Sequence, residues 1–258
     1  MALPAFHLGF GSSTLWQALT TADEGVNRFC KLRLAVNAER LEAMRKFYTR
    51  GLNLPLVADD ARSLSVQAGR TELSFYADPD GGSPFYHFAF NIPEDKLERA
   101  AAWMSPRAKL LQDRRGNHVV HFQWLDAHSI YFRDPAGNLL EFIAHHPLKN
   151  GRAGAFDVDD ILYASEIGLV THDVPALGAE LDTKLGLTNF AAKLHQPISD
   201  VFRPIGDRHG FFIVVKHQRK WLMTDDPAGL FPVGATLHGR ERGKLDLANC
   251  DCKLSIAG

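Results

Sequence analysis

The chain has 258 residues, of which 45% are hydrophobic and 23% charged, and its formal net charge is -1. A chain of this length can bury a substantial core, but it lacks the basic surplus with which nucleic-acid-binding proteins displace counterions. It contains no stretch of 18 or more apolar residues, so no membrane-spanning helix is predicted.

The N-terminus and the cysteines bear on location. Residues 1–27 lack the positively charged start of a secretory signal and are predicted to be an N-terminal extension. The three cysteines, Cys30, Cys250 and Cys252, have no CxxC or zinc-type spacing. This pattern predicts no disulfide framework and favours a reducing cytoplasm.

Residues 28–83 carry the first of three similar patterns, each with a strand, an amphipathic helix and further short strands. Segment 31–36 alternates apolar and polar residues, which predicts a strand. A helix is expected from about Arg40, with a C-terminal cap at Gly51. Short strands are predicted near 54–57, 62–68 and 71–77.

The same order recurs in residues 84–147. His87 shares one face of a strand at 85–90 with Phe85 and Ala89. Pro93 and the acidic residues after it predict the start of a helix. Strands are expected near 117–124, 128–133 and 138–144.

A third unit is predicted over residues 160–219. Glu166 lies in its first strand, at 162–170, and Asp173 and Gly186 are the expected caps of its helix. Strands near 200–205 and 210–216 follow. The remaining tail, 220–258, alternates like strands around 244–256 but shows no helical pattern. No unit can cover its own apolar faces, so the units must pack together.

Two segments resemble a known family. The run 129–142, with Asp134-Pro-Ala-Gly-Asn138 as its turn, resembles the terminal hairpin of modules in the glyoxalase, bleomycin-resistance and extradiol dioxygenase group, the vicinal oxygen chelate superfamily. Segment 41–52 resembles the first helix of such modules and its exit. The resemblance implies an α+β fold of repeated βαβββ modules that pair into cups of curved sheet, and a divalent metal in the cup.

The resemblance also implies ligand positions. It places His87 on a first strand and Glu141 four residues beyond Gly137, where the family has a carboxylate ligand. Glu141 lies in an apolar run, where an unpaired carboxylate is costly to bury. Imidazole and carboxylate suit Mn, Fe, Ni or Zn.

The third ligand has two candidates, because Lys31 occupies the position where the family has His or Gln. A cup made from the second and third units would offer Glu166, giving one histidine and two carboxylates as in the Mn-dependent, toxoflavin-degrading branch. A cup made from the first and second units would instead offer Glu72, with Lys31 as a substrate contact. We favour Glu166.

Other polar residues are weaker candidates for chemistry. Tyr131 is predicted to donate a hydrogen bond in catalysis, and His128, with His121 on a neighbouring strand, to transfer protons. Lys216 and Arg219 are candidates for screening an anionic substrate.

The sequence leaves two functions open. The first is a metal-dependent lyase, isomerase or oxygenase acting on a small molecule with vicinal oxygens. The second is a metal-free protein that sequesters a metabolite or antibiotic in a cup lined by Tyr86, Trp103 or Trp124. No nucleic-acid or membrane partner is expected in either case. Three modules leave one unpaired, so a homodimer is predicted unless the tail completes the pair.

Overall fold

The computed structural model describes residues 27–239, 242–248 and 251–257. Residues 1–26 of the predicted N-terminal extension lie outside the described residues, as does Cys250. The described strands are β1 (Arg28–Val36), β2 (Leu56–Asp59), β3 (Ser63–Ala68), β4 (Thr71–Ala77), β5 (His87–Asn91), β6 (Val119–Phe122), β7 (Ala127–Arg133), β8 (Leu139–His145), β9 (Tyr163–Thr171), β10 (Phe202–Asp207), β11 (Gly210–Lys216), β12 (Val233–His238), β13 (Gly243–Leu247) and β14 (Cys252–Ala257). The α-helices are α1 (Leu41–Lys46), α2 (Leu97–Met104), α3 (Val174–Leu185) and α4 (Phe190–Lys193).

The strands form two seven-stranded sheets of matching design. Sheet 1 has the order β13-β14-β12-β1-β4-β3-β2, and sheet 2 the order β10-β11-β9-β5-β8-β7-β6. Each has a central antiparallel pair, β1 with β12 and β5 with β9, and each central strand pairs in parallel with the last strand of its own unit. The predicted α+β fold of repeated strand-rich units is confirmed.

The tail supplies a fourth, helix-free unit. Its strands β12, β13 and β14 extend sheet 1 next to β1. The predicted alternation at 244–256 corresponds to β13 and β14, whereas β12 was not predicted. Because the tail flanks the first unit, that unit has a pairing partner within the chain.

The main core lies between the sheets and under the helices. It includes Phe29, Phe75, Phe88, Phe142 and Phe212, all fully buried. Phe29 of sheet 1 meets Phe212 of sheet 2 edge to face, with ring centroids 5.2 Å apart. A second apolar cluster fills the other face of sheet 2. Sheet 2 is therefore apolar on both faces.

The predicted caps of α3 are confirmed, whereas the ends of the first two helices differ in detail from the prediction. Asp173 accepts a hydrogen bond from Ala176 N at 2.9 Å, and Gly186 ends α3 with φ 65°, as predicted. The first helix does end at Gly51, but through a π turn, and Asn53 rather than Gly51 takes the left-handed conformation, with φ 58°. Helix α2 begins at Leu97, later than predicted.

Among the described residues, no helix is long and apolar enough to cross a membrane. Cys30 is free, and Cys252 is disulfide-bonded, which the cysteine spacing did not predict.

Candidate metal centre

Three neighbouring strands of sheet 2 bring His87, Glu141 and Glu166 together. In the ladder, Ala89 of β5 pairs with Glu141 of β8 on one side and with Glu166 of β9 on the other. Side chains two apart on a strand share a face, so His87 projects on the same side as Ala89. Because Ala89 carries only a methyl group, the space between the carboxylates stays open.

A register shift occurs where β9 meets β5. Ala89 pairs with Glu166 and Phe90 with Ala164, so Ser165 is the additional residue of a bulge. Bulges bend a strand and redirect the side chains beside them. The irregularity therefore lies immediately next to Glu166.

The turn before β8 anchors the centre to the rest of the fold. Asp134 accepts hydrogen bonds from the Ala136 and Asn138 backbone amides, and Gly137 takes φ 90° to close the turn. The Asn138 side chain accepts from Tyr86 N at 2.8 Å, next to His87. The turn thus fixes the start of β5 against the start of β8.

The three side chains converge at close range. His87 Nε2 lies 3.5 Å from Glu141 Oε2 and 3.7 Å from Glu166 Oε2, and one ligand atom from each residue lies within 4.8 Å of the others. His87 Nδ1 lies 3.1 Å from the Leu139 carbonyl oxygen. Since a carbonyl only accepts, Nδ1 carries the proton and Nε2 presents its lone pair to the two carboxylates.

Burial shifts the titration of all three groups. It lowers the pKa of His87, which favours the neutral imidazole. It raises the pKa of Glu166 to about 8. Burial and the Glu166 charge together raise the pKa of Glu141 to about 8. Two buried carboxyl groups are thus poised to exchange their protons for a positive ion.

The donor set fits a divalent metal. Glu141 Oε1 is buried and has no hydrogen-bond partner among the described residues, which is costly unless another group binds it. The distances from His87 Nε2 to the carboxylates exceed an ordinary hydrogen bond and approach the ~3–3.4 Å between two ligands held ~2.1 Å from one zinc ion. Among the described residues this is the single His/Cys/Asp/Glu group close enough to hold an ion.

The centre opens into a pocket of about 260 Å³. Its walls are apolar and rich in aromatic rings, and Arg219 is the one Lys or Arg among the described residues that line it. The lining residues are His87, Phe122, Trp124, Leu125, Tyr131, Leu139, Glu141, Ile143, Glu166, Phe202, Pro204, Phe211, Ile213, Arg219, Trp221 and Leu222.

Tyr131 belongs to this pocket. It pairs with Glu141 in the ladder between β7 and β8 and is 2% exposed. Burial, with the nearby Glu141 and Glu166 charges, raises the Tyr131 pKa well above its ordinary value, so its hydroxyl remains a proton donor.

His128 lies elsewhere. Its ring stacks on His121 with centroids 4.2 Å apart, and its Nδ1 is 2.7 Å from Nε2 of His146. None of these three histidines lines the pocket. The predicted role of His128 in catalysis is therefore not supported by its position.

The alternative third ligand is also remote. Lys31 and Glu72 form an ion pair of 2.9 Å on sheet 1, both partly exposed, while His87 is on sheet 2. Of the aromatic residues expected in a metal-free cup, Trp124 lines the pocket, but Tyr86 and Trp103 pack elsewhere. Arg219 lines it and Lys216 does not.

The residue that the sequence did not reveal is Trp221. It lies in the irregular segment between β11 and β12, is 5% exposed, and its ring centroid is 5.1 Å from that of His87. It rests on Gly168, where an added Cβ would be 2.7 Å from the indole. Such placement depends on tertiary contacts and leaves no periodic signal; the glycine within strand β9 is the one local hint, because glycine in a strand often marks close approach of another group.

Comparison with known proteins shows what part of the chain is similar to. Residues 32–142 match the family model "Glyoxalase/Bleomycin resistance protein/Dioxygenase superfamily". None of the curated proteins compared with the sequence matches it. The match covers less than half of the chain, and it shows that residues 32–142 are similar to this superfamily.

Solved structures extend the fold similarity over nearly the whole chain. A glyoxalase I mutant from Zea mays aligns with a TM-score of 0.51 at 12% identity, covering 93% of this chain and 95% of the other. A provisionally assigned dioxygenase from Bacillus subtilis subsp. subtilis aligns with the same TM-score and identity, covering 91% and 86%. At such identities the similarity concerns the fold alone.

Proposed function

We propose that this protein is a divalent-metal-dependent enzyme that acts on a small molecule with vicinal oxygens, with His87, Glu141 and Glu166 as the metal ligands. The observation that carries the proposal is the convergence of the three buried side chains at one end of the pocket. Two carboxylates balance a dication, so the site would be neutral when loaded. Without a cation, burying both charges would be unfavourable.

Each ligand has a defined preparation for this role. The Leu139 carbonyl holds the His87 ring by its Nδ1–H, the kind of secondary contact that orients metal-binding histidines. The unpartnered Oε1 of Glu141 provides a free lone pair. Glu166 lies on β9, directly next to the bulge where β9 pairs with β5. Three protein ligands leave further coordination positions for substrate.

The metal would supply Lewis acidity, holding two substrate oxygens and stabilising negative charge that develops on them. The surrounding residues supply the rest. Tyr131 keeps its proton and can donate a hydrogen bond to an anionic oxygen. The apolar walls exclude water, which strengthens these electrostatic interactions.

The ligand set bears on the type of reaction. Oxygenases with non-haem iron typically use two histidines and one carboxylate. One histidine with two carboxylates resembles the toxoflavin-degrading branch instead, which favours lyase or isomerase chemistry and Mn²⁺.

The metal-free binding protein is the rival. The aromatic lining, including Trp124, would serve it equally well. A metal-free binding function, however, gives no reason for two glutamates to be buried around His87 in the lining of an apolar pocket. We therefore prefer the metal-dependent enzyme.

Metal analysis tests the proposal. Metal is removed from the full-length protein with a chelator, and the protein is then dialysed against Mn²⁺, Ni²⁺ or Zn²⁺. Its metal content is measured by inductively coupled plasma mass spectrometry. We expect stoichiometric binding of at least one metal, its loss in His87→Ala, and its retention in His121→Ala, which removes an exposed histidine outside the pocket. Absence of bound metal in the wild type, or equal binding in His87→Ala, would overturn the proposal.

A further inference from the structure

Arg219, which lines the pocket, has no acidic partner among the described residues. Arg219 is partly buried, and its guanidinium lies 5.2 Å over the ring of Phe202. The guanidinium also donates a hydrogen bond to the Lys220 carbonyl oxygen at 3.2 Å. Among the described residues, no carboxylate comes within ion-pair distance of Arg219. This partly buried charge at the pocket is therefore available to pair with an anionic ligand.

Neighbouring cations are paired. Lys220 lies 2.7 Å from Asp225, and Arg133 forms an ion pair with Asp226. Asp225 and Asp226, the first two aspartates after Arg219 in the chain, therefore both pair with other cations. Arg219, which lines the pocket, is thus left without an ion-pair partner among the described residues.

The glutamates do not neutralise Arg219 either. The ion-pair partner of both carboxylates is His87 Nε2, at 3.5 Å from Glu141 and 3.7 Å from Glu166, and among the described residues neither forms an ion pair with Arg219. A dication held by Glu141 and Glu166 would balance the charges of both carboxylates. The Arg219 charge then remains as a surplus facing the substrate space.

The walls of the pocket favour a flat ring. Five aromatic side chains besides Tyr131 line it, from four separate segments: Phe122, Trp124, Phe202, Phe211 and Trp221. Aromatic rings stack best on other planar rings, and a guanidinium held over Phe202 is set to meet an anion at the edge of such a ring. The volume of about 260 Å³ is below the ~300–1,000 Å³ of pockets for drug-sized ligands, which restricts the substrate to one or two rings.

We propose that the substrate is a small planar aromatic anion whose ring lies between the pocket's aromatic side chains and whose negative group pairs with Arg219. The inference rests on the proposed function in one respect, that the vicinal oxygens point to His87, Glu141 and Glu166. Arg219 is then a residue that determines specificity.

Calorimetric titration of the Mn²⁺-loaded full-length protein tests this with four probes. Two are 2,3- and 3,4-dihydroxybenzoate, which combine a ring, vicinal oxygens and a carboxylate. Catechol lacks the charge, and lactate lacks the ring. We expect the better dihydroxybenzoate to bind about tenfold or more tightly than catechol and lactate, the gain of one charge-assisted contact.

Variants assign the difference to Arg219. Arg219→Gln is expected to weaken the dihydroxybenzoate about tenfold and leave catechol unchanged, and Arg219→Lys to restore part of the loss. Lys220→Gln, which removes the adjacent exposed cation, is the matched control and should change neither. Equal binding of catechol or lactate, or an unchanged preference in Arg219→Gln, contradicts the inference.

The same titration on metal-free protein and on His87→Ala separates the two proposals. If metal binds but dihydroxybenzoates gain nothing over catechol, the metal enzyme stands and the aromatic-anion inference fails. If no metal binds but dihydroxybenzoates still bind in an Arg219-dependent manner, the substrate class stands and the metal enzyme fails.

Discussion

Ala89 shows how one small residue shapes the candidate site. It occupies the ladder position between Glu141 and Glu166 and is fully buried. A larger side chain would project into the space where His87 Nε2 approaches the two carboxylates. The small size of Ala89 is therefore as much a part of the centre as the ionisable groups.

The two glutamates predict how metal affinity depends on pH. Their pKa values of about 8 mean that the metal-free site holds protons at pH 7, and a metal must displace them. Affinity should therefore rise as pH increases from 6.5 to 8.5 and level off above the pKa values. The slope should approach about tenfold per pH unit for each proton released. Competition with an indicator chelator at successive pH values measures it.

Glu166→Gln is the control for this dependence. The amide keeps the size of the side chain and cannot bind a proton in this range, so the slope should fall by about one proton while binding weakens. A dissociation constant that stays constant between pH 6.5 and 8 in the wild type would contradict the assigned protonation.

At the scale of elements, helix α3 shows what local sequence can predict. Its caps, Asp173 and Gly186, act through backbone geometry within one turn of the helix, and both were confirmed. Helix α2 begins later than the pattern predicts, directly after Lys96, which is buried against Asp160 at 2.7 Å. That contact joins residues 64 positions apart, so no local pattern contains it.

Helix α3 also offers a stability prediction. Gly178 is buried in its interior, and an added Cβ would meet the nearest atoms, on Arg203 and Ile205, at 3.5–3.7 Å, an ordinary contact. Gly178→Ala should stabilise the protein by about 0.5–1 kcal/mol, because alanine loses less backbone freedom on helix formation. Urea denaturation measures the change.

The matched variant in the same helix is Gly186→Ala. Gly186 ends α3 with φ 65°, a conformation that strains residues with a Cβ, so this substitution should destabilise by about 1 kcal/mol. The two alanines should thus act in opposite directions. Destabilisation by both would mean that α3 packs too closely on β10 to admit a methyl group.

At the scale of the whole molecule, the pairing of units decided which candidate residues meet. Each strand carrying His87, Glu141 or Glu166 could be predicted from alternation and from the turn at 134–138. Their proximity depends on β9 pairing with β5, which the family resemblance suggested as one of two possible cups. Trp221 and the environment of Arg219 depend on the path of an irregular segment back over sheet 2, and sequence alone does not determine that path.

Contacts between the sheets hold that arrangement in place. The Thr71 hydroxyl donates to the Phe29 carbonyl oxygen at 2.6 Å and accepts from Ala164 N at 2.9 Å. Beside it, Gly69 takes φ 55°, and an added Cβ there would lie 2.0 Å from the Leu162 carbonyl oxygen. The start of β4 in sheet 1 is thereby fixed against the start of β9, two residues before Glu166.

Thr71→Val tests the importance of this junction. Valine keeps the shape of the side chain but leaves the buried Ala164 amide without its acceptor, so the free energy of unfolding should fall by about 1–3 kcal/mol. Thr71→Ser retains both hydrogen bonds and should lose less. Urea denaturation gives the energies, and hydrogen exchange at the Ala164 amide should accelerate in Thr71→Val alone. If valine is as stable as serine with unchanged exchange, the hydroxyl does not join the sheets, and sheet 2 is held against sheet 1 by apolar packing such as that of Phe29 on Phe212 of β11.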